Sequence, residues 1–447
     1  MATIATPIPA ASPAEPAASR YSTLVKALDD AAGDLQLFDL DHGFTGEPLI
    51  RDVRRRGGRG LPDQVVTLTL VEDDGVLYWR DRSSLPALSR RRSRRGGHLI
   101  SGEIVTQRRF EMLEPDSVNA SIQKLDDRFS APRGLRKLVN GQWAPAAGPF
   151  KGTTLLLVHG TFSNNDHFLD EFKATAPGQQ FLARAQQHYT QVLAFDHPTL
   201  AIGPLFNALE LARLLAGSTH DVDVVAHSRG GLVTRWWLEA LGGGVGQRAR
   251  AVLVGSPIAG TSLAAGPRIR GGLDLLTNYG TVLERVMGLV GVANPFLAAP
   301  AAILRVLLSV TGLAAKLPIA DAAVAMVPGL FAQARIGNNG EIARLRAGPA
   351  LRAVDYFAVR SNFEPQSEGW KFWRYFRKTT LADPLADIVF DGENDLVVDT
   401  DSMTDFGNSG AKLVATWDFK TNPEVHHVNY FRQAETIDFI AKSLQVP

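Results

Sequence analysis

The sequence predicts an α/β fold, in which a mostly parallel sheet carries helices on both faces, with a helical insert and a smaller strand-rich region before it. Three observations predict this arrangement. Short apolar runs alternate with stretches of helical periodicity from residue 153 onward. An alternating segment around an Asp-Gly turn precedes them, and a long, weakly charged segment at 262–350 interrupts them. Strands that alternate with helices are typical of right-handed crossovers in a parallel sheet.

The composition is that of a globular protein with enough apolar residues for a sizeable core. The chain has 447 residues, of which 45% are hydrophobic and 21% are charged, and its formal net charge is +1. This length predicts one large domain with a smaller appendage. The balanced charge gives no reason to expect nucleic acid as a partner. The chain has no cysteine, which excludes disulfides, thiolate metal sites and a cysteine nucleophile.

The N-terminal segment, residues 1–20, is rich in alanine and proline and predicts a flexible tail. It lacks the basic start and the continuous apolar core of a signal peptide, so we expect a cytoplasmic protein. The most apolar stretch, 286–304, contains Asn294 and two prolines. A membrane span is normally more uniformly apolar, and we therefore predict none.

Residues 21–148 form the predicted strand-rich region. The segment "DQVVTLTLVEDDGVLYWRD" alternates apolar and polar residues around Asp74-Gly75, which indicates a hairpin. Two arginine clusters, at 51–60 and 89–97, are typical of exposed loops, although contact with anionic lipid or nucleic acid is an alternative. No aromatic residues are interleaved with the arginines to support nucleic-acid binding. The segment 140–152 has the composition of a linker.

Residues 149–447 form the predicted main domain. Four apolar runs there each end in small or polar residues, and such ends gather at one edge of a parallel sheet, where ligands bind. Later segments have strand character, and the chain ends in a predicted helix. The four runs are 153–160, 191–198, 221–228 and 250–257, a helix is predicted at 204–217, the later strand candidates are 352–362, 386–393 and 412–419, and the last helix is 429–445.

Ser228 lies where the third of these runs meets a helix, in the segment "DVDVVAHSRGGLV". A nucleophilic serine on a sharp strand-to-helix turn is exposed at the top of the sheet, and the crowded turn requires small residues two positions before and after it. Ala226 and Gly230 occupy those positions. The alanine departs from the usual G-x-S-x-G pattern, but a methyl group can fit there. Ser228 is therefore the predicted nucleophile.

An oxyanion hole needs two backbone N–H groups that converge on the developing negative charge. The predicted donors are Arg229, at the start of the helix after the nucleophile, and Thr161, which follows His159-Gly160 at the end of the first run. His159 itself is interpreted as a structural hydrogen-bonding residue. Asp196 and His197 end another run, and we expect them to brace a loop or line the pocket, because no metal-ligand spacing surrounds them.

The segments "FDGENDLVV" and "EVHHVNYF" supply the remaining candidates. Asp391, Asp395 and Asp399 compete for the acid that orients a histidine. Asp395 is preferred because it lies beyond the strand end and before the apolar residues that return the chain to the core. The base is one of two neighbouring loop histidines, His426 or His427.

Residues 153–445 resemble an α/β-hydrolase of the lipase/esterase type, in a bacterial branch. The resemblance depends on "LLLVHGTFSN", "FDHPTL", "VVAHSRGGLV", "GSPIAGT" and "HHVNYF", together with the chain order of nucleophile, acid and base. It implies Ser228 as nucleophile, Asp395 as acid, and Thr161 and Arg229 as oxyanion donors. It also favours His427 over His426, because the residues after His427 match how such a base leads into the last helix.

The insert at 262–350 occupies the place where α/β-hydrolases commonly carry a helical lid or cap. Its apolar composition predicts a hydrophobic pocket roof, whether it moves as a lid or packs as a fixed cap. We therefore predict a serine hydrolase that cleaves carboxylic esters with an apolar acyl part, with transient contact to a membrane or lipid interface and without cofactor or metal. The alternatives are acyl transfer, thioester or amide cleavage, and a non-catalytic hydrolase-like scaffold that binds a membrane or a partner.

Overall fold

A computed structural model gives the fold of most of the chain. The structure describes residues 16–35, 65–81, 102–111, 115–242, 246, 248–265, 268–287, 296, 299–306, 327–376 and 389–447. The arginine clusters at 51–60 and 89–97 fall outside these segments. Within the segments, no helix is both long enough and apolar enough to cross a membrane.

The N-terminal part forms a three-stranded antiparallel sheet of order β2-β1-β3. The predicted hairpin joins β1 and β2, and its turn residues Asp74 and Gly75 have φ values of 50° and 83°. Two consecutive positive φ values match the right-handed twist of the paired strands, which explains the Asp-Gly sequence. The elements are α1 (Ala17–Arg20), α2 (Ser22–Leu35), β1 (Val65–Asp73), β2 (Val76–Asp81) and β3 (Glu103–Glu111).

The main sheet has eight strands in the order β5-β4-β7-β6-β8-β9-β10-β11. The last six in the chain, β6 to β11, are parallel, and β4 pairs antiparallel with β7. The four apolar runs are strands, as their composition predicted. The strands are β4 (Gly134–Val139), β5 (Gln142–Pro145), β6 (Lys151–Val158), β7 (Gln191–Asp196), β8 (Thr219–His227), β9 (Ala249–Val254), β10 (Asp355–Phe363) and β11 (Lys412–Asn422).

Helices cover both faces of this sheet. One face packs against α4, α5 and α11, and the other packs against α6, α7 and α10. Neighbouring strand residues point to opposite cores, and both sets are buried, which explains why the parallel strands are continuously apolar. The helices are α3 (Pro115–Phe129), α4 (Asn165–Lys173), α5 (Ala176–His188), α6 (Pro204–Leu214), α7 (Gly230–Arg235) with a π-helical turn (Trp236–Ala240), α8 (Ile269–Met287), α9 (Pro328–Phe331), α10 (Gly340–Ala347) and α11 (Ala434–Leu444).

The sequence-based boundaries differ from the structure in three places. Strands β4 and β5 lie inside the predicted region 21–148, yet they extend the main sheet, and β5 occupies part of the predicted linker. Helix α1 lies within the predicted tail. Of the strand candidate 386–393, the described residues from 389 onward form turns and one bridge residue. Gly392 lies in this acid-rich stretch, where turn geometry replaces a strand.

The predicted insert is mostly helical over its described parts. Helix α8, helical residues 299–306 and the short helices α9 and α10 follow β9 before β10 begins. The first two belong to a third apolar core, which they share with the three-stranded sheet. Its role as a lid remains a prediction. Four 3-10 turns complete the described elements: Ser262–Ala264, Glu368–Tyr375, Ser402–Thr404 and Tyr430–Arg432.

Candidate active site

The strand order places the candidate site at a reversal of the sheet. The chain runs from β6 outward to β7 and then crosses back to β8 on the other side of β6. In open parallel sheets such a reversal opens a crevice at the carboxyl ends of the strands. The segment after β6 carries Gly160 and Thr161, and Ser228 follows β8 directly. The two predicted halves of the site therefore meet at this crevice.

Ser228 occupies a tight strand-to-helix turn with left-handed backbone geometry. Its φ is 53°, which a serine rarely adopts, and its N–H donates to the carbonyl of Val254 at 2.9 Å. The turn is held close to β6. A Cβ at Gly230 would lie 2.4 Å from the carbonyl oxygen of Val158, and one at Gly160 would lie 2.7 Å from Cβ of Ser228. These glycines are needed because neither position has room for a methyl group.

The three predicted side chains Ser228, His427 and Asp395 form one hydrogen-bonded series. Nε2 of His427 lies 2.9 Å from Oγ of Ser228, and Nδ1 of His427 lies 2.8 Å from Oδ2 of Asp395. All three residues are buried. A carboxylate oxygen can only accept, so Nδ1 carries the proton and Nε2 can accept from the serine hydroxyl. Their catalytic roles remain predictions, but the geometry is that of a nucleophile, a base and an orienting acid.

The carboxylate of Asp395 accepts hydrogen bonds from groups to which the sequence analysis assigned no role. Its Oδ1 accepts the backbone N–H of Val397 at 3.1 Å and that of Val398 at 2.8 Å. Its Oδ2 accepts the hydroxyl of Tyr430 at 3.0 Å, in addition to His427. Tyr430 lies in the segment quoted for the base, but a tyrosine before a helix gives no local signal of such a contact.

The competing acids have other partners. Asp391 is exposed and forms an ion pair with Arg268. Asp399 is buried, accepts the backbone N–H of Ser262 at 2.7 Å and its hydroxyl at 2.8 Å, and burial raises its pKa. Both acids therefore brace loops, and only Asp395 contacts a histidine of the pair.

His426 faces away from the series formed by Ser228, His427 and Asp395. Its Nδ1 lies 2.7 Å from the hydroxyl of Tyr279 on α8, and its ring packs among Phe363 and Trp370. Burial lowers its pKa to about 3, so the ring is neutral at ordinary pH. Adjacent positions in one loop thus place two histidines in different surroundings.

The backbone of His427 is fixed as well as its ring. Its N–H donates to the carbonyl of Asp395 at 3.0 Å, and its carbonyl accepts Nε2–H of His227 at 2.9 Å. Burial lowers the pKa of His227 to about 3, so this donor is neutral. Gly255 has a φ of 55° and lies beside Asp395 and His427. A Cβ there would lie 2.8 Å from Cε2 of Tyr430.

The predicted oxyanion donors flank Ser228. Thr161 lines the same cavity as Ser228, and its hydroxyl accepts Nε2–H of Gln333 at 3.2 Å. Arg229 starts the turn into α7, while its buried guanidinium donates to the carbonyl of Ile202, and burial lowers its pKa to about 10. Only its backbone N–H is therefore a candidate donor to the reacting carbonyl. Sequence reasoning missed Gln333, which the insert supplies.

His159, Asp196 and His197 brace the loops behind the site. Nδ1–H of His159 donates to the carbonyl of Gly160 at 2.8 Å, and its Nε2 accepts the backbone N–H of His197 at 3.1 Å. Burial lowers the pKa of His159 to about 3. Asp196 accepts Nε–H of Arg136 at 2.6 Å. These contacts agree with the structural roles expected for the three residues.

A small apolar cavity adjoins Ser228, with a volume of about 40 Å3. Helix α8, helical residues 299–306 and α9 contribute five of its lining residues, and we call these segments the roof of the cavity. Within the described segments, no cluster of three or more histidine, aspartate or glutamate side chains is placed to hold a metal ion. The apolar lining is Phe162, Leu263, Ala264, Ile269, Leu273, Leu276, Phe296, Ile303, Leu330 and Val397, and the polar lining is Thr161, Ser228, Thr261, Gln333 and His427.

The sheet of parallel strands, the strand–turn–helix around Ser228 and the chain order of the three side chains define an α/β-hydrolase fold, which confirms the fold predicted from the sequence. The chain belongs to the family described as "Domain of unknown function (DUF7379)", whose model matches residues 121–445. The match begins within α3, before the predicted boundary at 149. No curated protein matches the chain.

Solved structures that are similar to the chain include lipases and esterases. Lipase 1 from Pelosinus fermentans has 15% identity, 64% of this chain and 98% of that chain covered, and a TM-score of 0.38. Bacillus licheniformis lipase BlEst2 has 15% identity, with 71% and 100% covered, and a TM-score of 0.34. Carboxylesterase CesB from Bacillus subtilis has 11% identity, with 74% and 98% covered, and a TM-score of 0.30.

Proposed function

We propose that the protein is a serine hydrolase that cleaves carboxylic esters through an acyl-enzyme intermediate. One observation carries the proposal: Oγ of Ser228 lies 2.9 Å from Nε2 of His427, whose Nδ1 lies 2.8 Å from Asp395, beside an apolar cavity. A serine hydroxyl is a weak nucleophile, and a histidine that is held by a buried carboxylate activates it as a general base.

In the proposed reaction, Nε2 of His427 takes the hydroxyl proton as Oγ of Ser228 bonds to the ester carbonyl carbon. The carbonyl oxygen becomes an oxyanion, which the backbone N–H groups of Thr161 and Arg229 stabilise. The C–O bond of the ester then breaks, and the alcohol leaves with the proton from His427. In the second half of the reaction, His427 takes a proton from water as the water oxygen bonds to the acyl carbon. The bond between that carbon and Oγ of Ser228 then breaks, the acid leaves, and His427 returns the proton to Oγ.

The cavity lining supports an apolar acyl part. Ten of the lining residues are apolar, and the five polar ones include Ser228 and His427. An uncharged acyl group loses little hydration on entering such a space, whereas a charged or sugar-like group would leave unpaired polar atoms. Transient contact with a lipid interface, proposed from the sequence, is the natural extension if the ester is a lipid.

The test combines hydrolysis of p-nitrophenyl esters with covalent labelling by a fluorophosphonate probe. In Ser228→Ala we expect kcat to fall by at least about 10³-fold and labelling to disappear, because the nucleophile is lost. Ser443→Ala is a matched control, since Ser443 is a largely buried serine on α11. This variant should keep both ester hydrolysis and probe labelling at the wild-type level.

Two outcomes would contradict the proposal. Equal ester hydrolysis by wild type and Ser228→Ala would show that another group attacks the ester. Absence of hydrolysis and labelling in folded wild type would favour the non-catalytic scaffold. Added alcohols distinguish hydrolysis from acyl transfer, because a transferase would form a new ester rather than the free acid.

A further inference from the structure

The cavity beside Ser228 is much smaller than an ordinary ligand pocket. Its volume is about 40 Å3, whereas pockets that enclose drug-sized ligands have about 300–1,000 Å3. A water-sized group needs about 10–15 Å3 of such space, so the cavity accepts roughly three of them. With the carbonyl carbon at Oγ of Ser228, this leaves room for a few further carbon atoms.

The volume limits the substrate only if the roof stays in place, and buried hydrogen bonds hold helix α8 there. Asn278 binds both backbone groups of Leu77 in β2, with its Oδ1 accepting the N–H at 2.9 Å and its Nδ2 donating to the carbonyl at 2.8 Å. Asp274 accepts the N–H of Trp79 at 2.7 Å. On the site side, the hydroxyl of Tyr279 lies 2.7 Å from His426. Helix α8 is thus bonded to two separate parts of the chain.

The α9 side of the roof is fixed by backbone contacts. The N–H of Gly329 donates to the carbonyl of Leu200 at 2.8 Å, and a Cβ there would lie 1.9 Å from the carbonyl oxygen of Thr199. The N–H of Thr261 donates to the carbonyl of Gln333 at 2.8 Å. Moving α8 or α9 away from Ser228 would break buried hydrogen bonds, and each unpaired buried group is costly.

We infer that the substrates of this site are esters of short-chain acids, with an acyl part of about two to four carbons. The inference rests on the proposed function and adds the acyl length to it. The buried side chains of Leu273, Leu276 and Ile303, which line the cavity, set the limit. Longer chains would have to displace these buried side chains.

The experiment measures kcat/KM of purified full-length protein on p-nitrophenyl acetate, butyrate, octanoate and laurate. Wild type should prefer acetate or butyrate over octanoate by on the order of 10²-fold. Leu276→Ala removes methyl groups from the cavity wall and should raise the octanoate-to-butyrate ratio by about tenfold. Leu275→Ala is the matched control, because Leu275 is fully buried on the same helix but does not line the cavity. It should leave the ratio unchanged.

A second pair covers the case in which Leu276→Ala does not fold. Ile303→Ala enlarges the cavity from helical residues 299–306, and Leu304→Ala changes its buried neighbour outside the lining. Hydrolysis that depends on Ser228 but is fastest with octanoate or laurate would overturn the acyl-length inference alone. Equal ratios in the lining and control variants would also overturn it. Absence of any Ser228-dependent hydrolysis or labelling would overturn the proposed function as well.

Discussion

At the scale of single residues, the site depends on which nitrogen of His427 carries the proton. Asp395 accepts a hydrogen bond from Nδ1–H of His427, and the hydroxyl of Ser228 faces Nε2. The backbone N–H and carbonyl of His427 are both hydrogen-bonded as well. The ring therefore has one orientation and one tautomer. A change at Asp395 should act through this tautomer rather than through the fold.

We predict that Asp395→Asn lowers kcat by on the order of 10⁴-fold with little change in KM. The amide can donate to Nδ1, which favours the tautomer with the proton on Nε2, and that nitrogen then cannot take the proton of Ser228. Steady-state kinetics with p-nitrophenyl butyrate measures the effect. Asp391→Asn is the control, since Asp391 is exposed in the same segment, and its kcat should stay at the wild-type value. A kcat of Asp395→Asn within tenfold of wild type would contradict the role of Asp395.

Residue types and short spacings were sufficient to propose Ser228, Asp395 and the pair of His426 and His427, because each lies beside a local signal: a strand end, a turn or a helix start. The choice between His426 and His427 from the residues alone stayed open. Their neighbours in sequence are almost the same, and only packing against Tyr279 or Ser228 distinguishes them. Tyr430 and Gln333 gave no signal, since their partners are distant in the chain.

At the scale of elements, α8 replaces a strand at the edge of the three-stranded sheet. Strand β2 is an edge strand, and its outward backbone groups at Leu77 and Trp79 are paired by side chains of α8. Nε1–H of Trp79 also donates to the hydroxyl of Thr277 at 2.9 Å. An edge that is covered in this way is protected from pairing with other chains. It also attaches the N-terminal sheet to the roof of the site.

We predict that Asn278→Leu destabilises the protein by about 1–3 kcal/mol for each backbone group left unpaired at Leu77. Urea unfolding followed by tryptophan fluorescence measures the free energy of unfolding, and Trp79 at this contact is one of the seven tryptophans of the chain. Thr281→Val is the matched control on α8, because the hydroxyl of Thr281 bonds only the carbonyl of Thr277 in its own helix. Equal stability of the two variants would show that α8 does not hold β2.

At the scale of the whole molecule, buried neutral histidines make stability depend on pH. Burial lowers the pKa of His159, His227 and His426 to about 3 each, from an ordinary value of 6.5. Below pH 6.5 the unfolded chain therefore binds protons that the folded protein does not. Above this pH the free energy of unfolding includes the whole contribution of these histidines. This contribution is lost as the pH falls toward their pKa values in the folded protein.

We predict a loss of about 1.4 kcal/mol per pH unit for each of these histidines as the pH falls from about 6 to about 4. Urea unfolding at a series of pH values measures the slope. Buried acids such as Asp196 and Glu341, whose pKa burial raises, contribute with the opposite sign. The comparison of wild type with His227→Asn isolates one histidine, because the asparagine amide can still donate to His427. A variant slope equal to that of wild type would contradict the prediction.

The sequence by itself determined the alternation of strands and helices, the turn at Ser228 and the apolar character of the insert. These features depend on patterns within a few neighbouring residues, such as the small residues Ala226 and Gly230 around the serine. The tertiary structure alone decided that β4 and β5 join the main sheet, that Gln333 of the insert contacts Thr161, and that the cavity has a volume of about 40 Å3. Each of these outcomes depends on how segments far apart in the chain pack together, and no local pattern encodes that packing.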